Sequence, residues 1–114
     1  MPDTDCLFCR IVTGDIAAEV VHRGRRVLAF RDVDPKAPTH LLVVPQDHYP
    51  DVAALAAADP EALAELARVA AAAAEADGHD SFRLVFNTGE RAGQSVFHVH
   101  GHVLAGRDLS WPPG

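Results

Sequence analysis

Between residues 82 and 87 the chain alternates: Phe82, Leu84 and Phe86 fall on one side, Arg83, Val85 and Asn87 on the other. A period of two predicts a strand with one packed and one available face. Two further runs, 27–32 and 40–44, read as strands, and Asp34-Pro35 and Pro38 turn the chain between them. A last strand is predicted from about 96 to 104, entered through the loop 88–94. The stretch 62–76 has a different period. Leu63, Leu66, Ala67, Ala70, Ala73 and Ala74 recur at helical spacing, after Asp59 as N-cap, Pro60 in the first turn and Glu61 near the positive end of the dipole. Gly78 is the predicted stop, and a shorter helix over 6–12 ends at Gly14. Strands joined by short turns beside one long helix predict an α+β fold with an antiparallel sheet.

At 114 residues the chain has room for one core, so 1–114 is predicted to be a single domain. Apolar residues make up 48% of it, enough for a packed globule rather than disorder. No apolar run approaches the roughly 20 residues of a membrane-spanning helix. The acidic start, Met1 to Cys6, lacks the basic and apolar parts of a signal peptide, and the expected compartment is the cytosol. A net charge of −6 argues against a nucleic-acid binder or a membrane surface. Only Arg23, Arg25 and Arg26 cluster, and they read as a solvated turn between strands. A single phosphate needs no basic patch, because neutral imidazoles, hydroxyls and backbone N–H groups can hold it.

The chemistry concentrates in His98-Val99-His100-Gly101-His102-Val103-Leu104. On a strand the three histidines share a face at intervals of about 6.6 Å, with Phe97, Val99, Gly101 and Val103 on the buried side. A lone histidine is usually a satisfied surface or core residue, but three at alternate positions point to function. Such a row could hold a catalytic zinc with an open position. It could equally attack phosphorus, since a neutral imidazole carries a ring lone pair that a backbone carbonyl on the other nitrogen would sharpen. Neighbouring imidazoles would then donate to the phosphoryl oxygens. Cys6 and Cys9 form a C-x-x-C. In a reducing compartment a disulfide is disfavoured, which leaves metal binding, redox chemistry or two unligated buried thiols. The motif lacks the βαβ context of a thioredoxin-like site.

The HVHGHVL segment resembles the histidine triad (HIT) family pattern His-φ-His-φ-His-φ-φ, where φ is apolar, with Gly101 standing where a bulky residue is expected. The likeness runs through CLFCRIVTGDI, VLAFRDVDPKAPTHLLVVPQDH, GQSVFHVH and GRDLSWPPG, nearly the whole chain, and is closest to the HINT-like purine nucleoside phosphoramidase branch. The resemblance implies a sheet of about five strands with one long and one short helix, extended across a two-fold homodimer. It implies hydrolysis of purine nucleoside 5′-phosphoramidates, and of aminoacyl-adenylates, through a nucleotidyl-histidine. The alternatives are a dinucleoside polyphosphate hydrolase or a nucleotide-binding regulatory module with little turnover. By the same resemblance His100 is the nucleophile, His102 and His40 flank the phosphate, and Ser95 assists the leaving amine. Asn87 touches the phosphate, which backbone N–H groups around Gly93 and Gln94 cradle, and Asp32 takes the ribose hydroxyls. Leu7, Phe8, Ile11, Phe30 and Val33 clamp the purine, and Trp111 of the tail 106–114 reaches the partner's active site. Ser110 stands where the family usually has a histidine, which bears on leaving-group preference. No cofactor is required for catalysis. A structural zinc is implied on Cys6, Cys9, His48 and His98. His22 and His79 match nothing in the pattern and are expected at the surface. Gly101 is expected to point away from the imidazoles and to leave a slightly looser strand.

Overall fold

The computed structural model describes residues 5–114, so the first four residues of the acidic start lie outside it. The elements follow as helix α1 (Leu7–Val12), strands β1 (Val20–Arg23), β2 (Val27–Arg31) and β3 (Thr39–Pro45), helices α2 (Val52–Ala58) and α3 (Pro60–Ala76), and strands β4 (Arg83–Phe86) and β5 (Gly101–Ala105). A single 3-10 turn, Glu90–Ala92, precedes the last strand. The five strands form one sheet in the order β1-β2-β3-β5-β4, and every neighbouring pair is antiparallel. Among the described residues no helix is long and apolar enough to cross a membrane.

Strand alternation divides the core into two layers. Val27, Ala29, Leu41, Val43, Val99 and Val103 turn one way and meet Leu55, Leu66, Ala70 and Ala74 of α2 and α3. Leu28, Phe30, Leu42 and Val44 turn the other way and meet Phe8, Cys9 and Ile11 of α1. β3 is covered on both faces, which is why all seven of its residues are buried. Its neighbour β5 and the segment leading into it carry His102, His100 and His98 on the α1 side, so these imidazoles and the long helix occupy opposite faces.

Several expectations are corrected. There are two short helices rather than one, because α2 stands between the turn after β3 and α3. Asp51 caps α2, accepting from the Ala54 N–H at 2.9 Å, and Asp59 does the same for α3 at Ala62. Ala67 is exposed, and Ala62 and Val69 take its place on the packed stripe of α3. The fifth strand is β1, which closes the sheet on the β2 side. Ladder pairing of the histidine strand begins at Gly101 rather than near 96, and Phe97 is 51% exposed instead of buried. Arg23 and Arg25 are exposed, whereas Arg26 is half-buried against the start of α3, 3.1 Å from Glu61 and 3.8 Å from Asp59.

His79 is half-buried and takes part in a network. Its Nε2 lies 2.9 Å from the Thr39 hydroxyl, which donates to Asp77 at 2.7 Å, and the Arg31 guanidinium grips the same carboxylate at 2.6 and 3.0 Å. This network ties the end of α3 to β2 and β3. The Arg31 and Thr39 hydrogen bonds hold the Asp77 carboxyl down at about 2. Gly101 is not a loose point. A Cβ there would meet Leu84 Cδ1 at 2.9 Å, Leu66 Cδ2 at 3.2 Å and Phe86 Cζ at 3.2 Å, so neighbouring side chains already fill the volume a larger residue would need.

Candidate active site and metal centre

The alternation across 98–102 survives although only part of it is ladder. His98, His100 and His102 face the α1 side, while Val99 and Val103 enter the opposite core. The three imidazoles do not converge on one point. The structure divides them between two clusters, and His100 stands between.

The first cluster is Cys6, Cys9, His48 and His98, whose ligand atoms all lie within 4.8 Å of one another. His98 Nδ1 is 3.4 Å from Cys6 Sγ, 3.5 Å from Cys9 Sγ and 3.2 Å from His48 Nδ1, and His48 Nδ1 is 3.5 Å from Cys9 Sγ. A tetrahedral zinc at ordinary bond lengths needs N···N and S···N edges of about 3.3 and about 3.6 Å, so the donors already stand at the right separations. The remaining His98 nitrogen, Nε2, donates to the Pro45 carbonyl at 2.8 Å, which leaves Nδ1 as a lone pair facing the thiols. Burial pushes the His98 imidazole down to about 4. The cysteines come from α1 and its N-cap, His48 from the turn after β3 and His98 from the approach to β5.

The second cluster joins His40, His102 and Asp32. The Lys36 backbone N–H donates to His40 Nδ1 at 2.9 Å, so a neutral His40 carries its proton on Nε2. That nitrogen lies 2.9 Å from His102 Nδ1 and 3.3 Å from an Asp32 oxygen. Donation to His102 Nδ1 would leave the His102 proton on Nε2. Both His40 nitrogens are therefore engaged within the protein, Nε2 against His102, while the residue also lines the cleft beside the cluster. Burial lowers the His40 imidazole, opposed by Asp32. Burial, reinforced by His100 and His40, takes His102 to about 4.

His100 is buried, with its ring 5.0 Å from that of His102 and 4.9 Å, edge-on, from Phe8. Its Nδ1 lies 2.9 Å from the His98 carbonyl, which can only accept, so the proton sits on Nδ1 and the lone pair on Nε2. Burial lowers this imidazole, opposed by the hydrogen bond and by Asp32, and keeps it neutral at pH 7.

A cleft of about 410 Å³ opens beside the second cluster, lined among others by Asp32, His40, Asn87 and His102. Pro113 of the same chain also lines it, while Trp111 is 82% exposed. Ser95 is exposed and lines a different hollow with Cys6, His48 and Phe97. The Gly93 and Gln94 N–H groups donate to the Glu90 and Gly89 carbonyls at 3.0 and 3.1 Å, so the loop itself takes them up. The buried Gln94 side chain braces this loop, accepting from Gly89 N–H and donating to the Pro50 and Val96 carbonyls. Phe8, Ile11 and Phe30 are buried in one layer of the core, whereas Leu7 is 44% and Val33 99% exposed. Neither Lys36 nor Phe8 was legible in the sequence as a neighbour of the imidazoles, since a backbone donor and a ring edge leave no motif.

Residues 13–109 match the HIT domain family model. Over 107 residues the chain is 39% identical to the purine nucleoside phosphoramidase of Escherichia coli strain K12, covering 92% of this chain and 90% of that protein. It is 39% identical over 117 residues to a 14 kDa zinc-binding protein of Zea mays, covering all of this chain and 91% of the relative. The crystal structure of a HIT family hydrolase from Legionella pneumophila superposes with a TM-score of 0.90 at 45% identity, covering 96% of this chain and 99% of that one. Cys6 and Cys9 precede the matched family segment.

Proposed function

The chain belongs to the HIT family, and on that premise we propose that it hydrolyses purine nucleoside 5′-phosphoramidates through a nucleotidyl-histidine at His100. The observation that carries this reading is the His100 Nδ1–H bond to the His98 carbonyl, which leaves a neutral Nε2 to act as nucleophile. In the first step a bond forms between Nε2 and the α-phosphorus, the phosphorus–nitrogen bond to the leaving amine breaks, and the amine takes a proton drawn from solvent through a relay. Ser95 is the assigned proton relay, although its exposed position requires the loop 88–95 to close on substrate. His102 donates from Nε2 to a non-bridging oxygen, held in that tautomer by His40. Asn87 contacts the phosphate and Asp32 accepts from the ribose diol, both from the wall of the cleft. Water then attacks the phosphorus of the adduct, releasing the nucleoside monophosphate and restoring His100.

Leu7, Phe8, Ile11, Phe30 and Val33 form the purine clamp in this reading; Val33, standing fully clear of the core, is available to a base. The unit is a single domain, 1–114, working as a cytosolic homodimer, with Trp111 supplied to the partner's cleft. Zinc on Cys6, Cys9, His48 and His98 supplies no step; it staples α1 to the sheet.

The test is His100→Ala. It is expected to bind AMP about as tightly as wild type while adenosine 5′-phosphoramidate turnover falls at least about a thousandfold. Wild type quenched in the pre-steady state should yield an acid-labile labelled adduct. Turnover at the wild-type rate in the variant would refute the assignment.

A further inference from the structure

His98 belongs to both halves of the site. Its ring nitrogen Nδ1 faces the two thiols at 3.4 and 3.5 Å, and its carbonyl accepts the Nδ1–H of His100 at 2.9 Å. A second link runs through α1. Phe8 lies between Cys6 and Cys9 in the chain, and its ring edge packs against the His100 ring with centroids 4.9 Å apart. Two protein groups that fix the His100 ring are thus carried by a residue of the four-donor cluster or by one flanked by two of them.

Apart from burial in the core, few backbone hydrogen bonds hold these groups. The β5 ladder starts at Gly101, so residues 98–100 lie beyond the hydrogen bonding of the sheet. They are held by Val99, buried and donating its N–H to the Tyr49 carbonyl at 2.8 Å, and by the attachments of His98 itself. α1 is a six-residue helix, far below the length that holds together alone in water. The Cys6 sulfur caps it, accepting the Cys9 N–H at 3.4 Å, so the N-cap and a metal ligand are the same atom. With an ion present, four lone pairs are satisfied at one point. Without it, thiol–imidazole contacts of 3.4 and 3.5 Å and one imidazole–imidazole contact of 3.2 Å join these donors in its place, so the hold on His98 and α1 weakens.

We propose that a metal ion held by Cys6, Cys9, His48 and His98 is the positioning element for His100, setting the orientation and tautomer of the nucleophile through the His98 carbonyl and the Phe8 ring. The proposal rests on the preceding readings of His100 and of the zinc site. It takes the ion beyond a staple: occupancy governs the attack although the ion touches no reacting atom.

The experiment compares full-length protein stripped of metal with the same protein reloaded with zinc alone, at a temperature where both are folded by circular dichroism. Nitrogen-15 spectra of the histidine rings report the His100 tautomer, and rapid quenching at saturating substrate reports adduct formation. Loaded protein is expected to show a single Nδ1–H tautomer at His100. Stripping should mix the tautomers and slow adduct formation about a hundredfold, as displacement by about an ångström does, and zinc should restore both. If stripping lowers only the unfolding temperature, leaving tautomer and adduct rate as in the loaded protein, the metal is merely structural and the proposal falls. Failure to take up one zinc per chain would overturn it together with the zinc reading. Zinc uptake without any adduct would overturn it together with the nucleophile reading.

Phe8→Leu keeps all four donors and serves if the stripped protein unfolds. It should bind one zinc per chain, show mixed His100 tautomers in the absence of substrate, and form the adduct about tenfold more slowly at saturating substrate. A wild-type rate in this loaded variant would overturn the α1 half of the proposal.

Discussion

Replacing Gly101 with alanine tests whether the space under the histidine strand is filled. The backbone there is not in the left-handed region, so alanine meets no conformational penalty, and losing a glycine restricts the unfolded chain by about 0.4–1 kcal/mol in favour of the variant. Against this stands overpacking. The new methyl would come within 2.9 Å of Leu84 Cδ1 and 3.2 Å of both Leu66 Cδ2 and Phe86 Cζ, three side chains from β4 and α3 that bracket it. Inserting a methyl into a packed core costs about 1–3 kcal/mol. The net expectation is a loss of about 0.5–2 kcal/mol, which for a chain of this length lowers the unfolding temperature by about 2–8 °C. Urea titration followed by circular dichroism reads the change directly. Pairing the change with Leu84→Val, which removes the nearest methyl, should recover about 0.5–1.5 kcal/mol relative to the sum of the single variants. Gly101→Ala at or above wild-type stability, with an additive double variant, would refute the claim that neighbours occupy this volume.

Two further predictions concern the polar networks. His40→Ala removes the donor to His102 Nδ1, freeing that imidazole to change tautomer; kcat for a phosphoramidate should fall about ten- to a hundredfold with KM changed far less, and an unchanged kcat would dismiss the orienting role. Asp77→Asn cuts into the clasp of Arg31 and Thr39 and should destabilise by about 1–3 kcal/mol at pH 7. Because the folded carboxyl is depressed from 3.8 to about 2, its contribution is whole above about pH 4 and lost as pH falls through about 2. Urea midpoints of the two proteins should therefore converge in acid, and a gap independent of pH would contradict the ionic origin.

How much of this was legible depended on whether a feature is local. The long helix announced itself through Asp59, Pro60 and the spacing of its apolar residues, since capping and periodicity act within a few positions. α2 did not, because VAALAAA is uniformly small and only Leu55 is buried, so no stripe emerges. β1 offers four exposed residues and hence no alternation to read. The face shared by the histidines was visible from spacing, but not the point where pairing begins, since that depends on where β3 and β4 stop. The meeting of His40 with His102 follows from the register Leu42↔His102, a relation across 60 residues that no local pattern contains. The C-x-x-C spacing marked the two cysteines as a candidate metal pair, but the two histidines of the centre could be named only through family likeness, and the convergence of all four is a product of the fold.

The order β1-β2-β3-β5-β4 places the last strand of the sequence in the interior of the sheet. A nascent chain leaves the ribosome with β3 complete long before β5 exists to lie beside it. Until then the seven residues of β3, all buried in the finished protein, present an apolar margin with unpaired backbone groups. Closing that gap is a long-range event, slow by comparison with helix formation, and it is the same event that brings His102 beside His40. The apolar margin of β3 is thus covered only when the last strand of the sequence has been made.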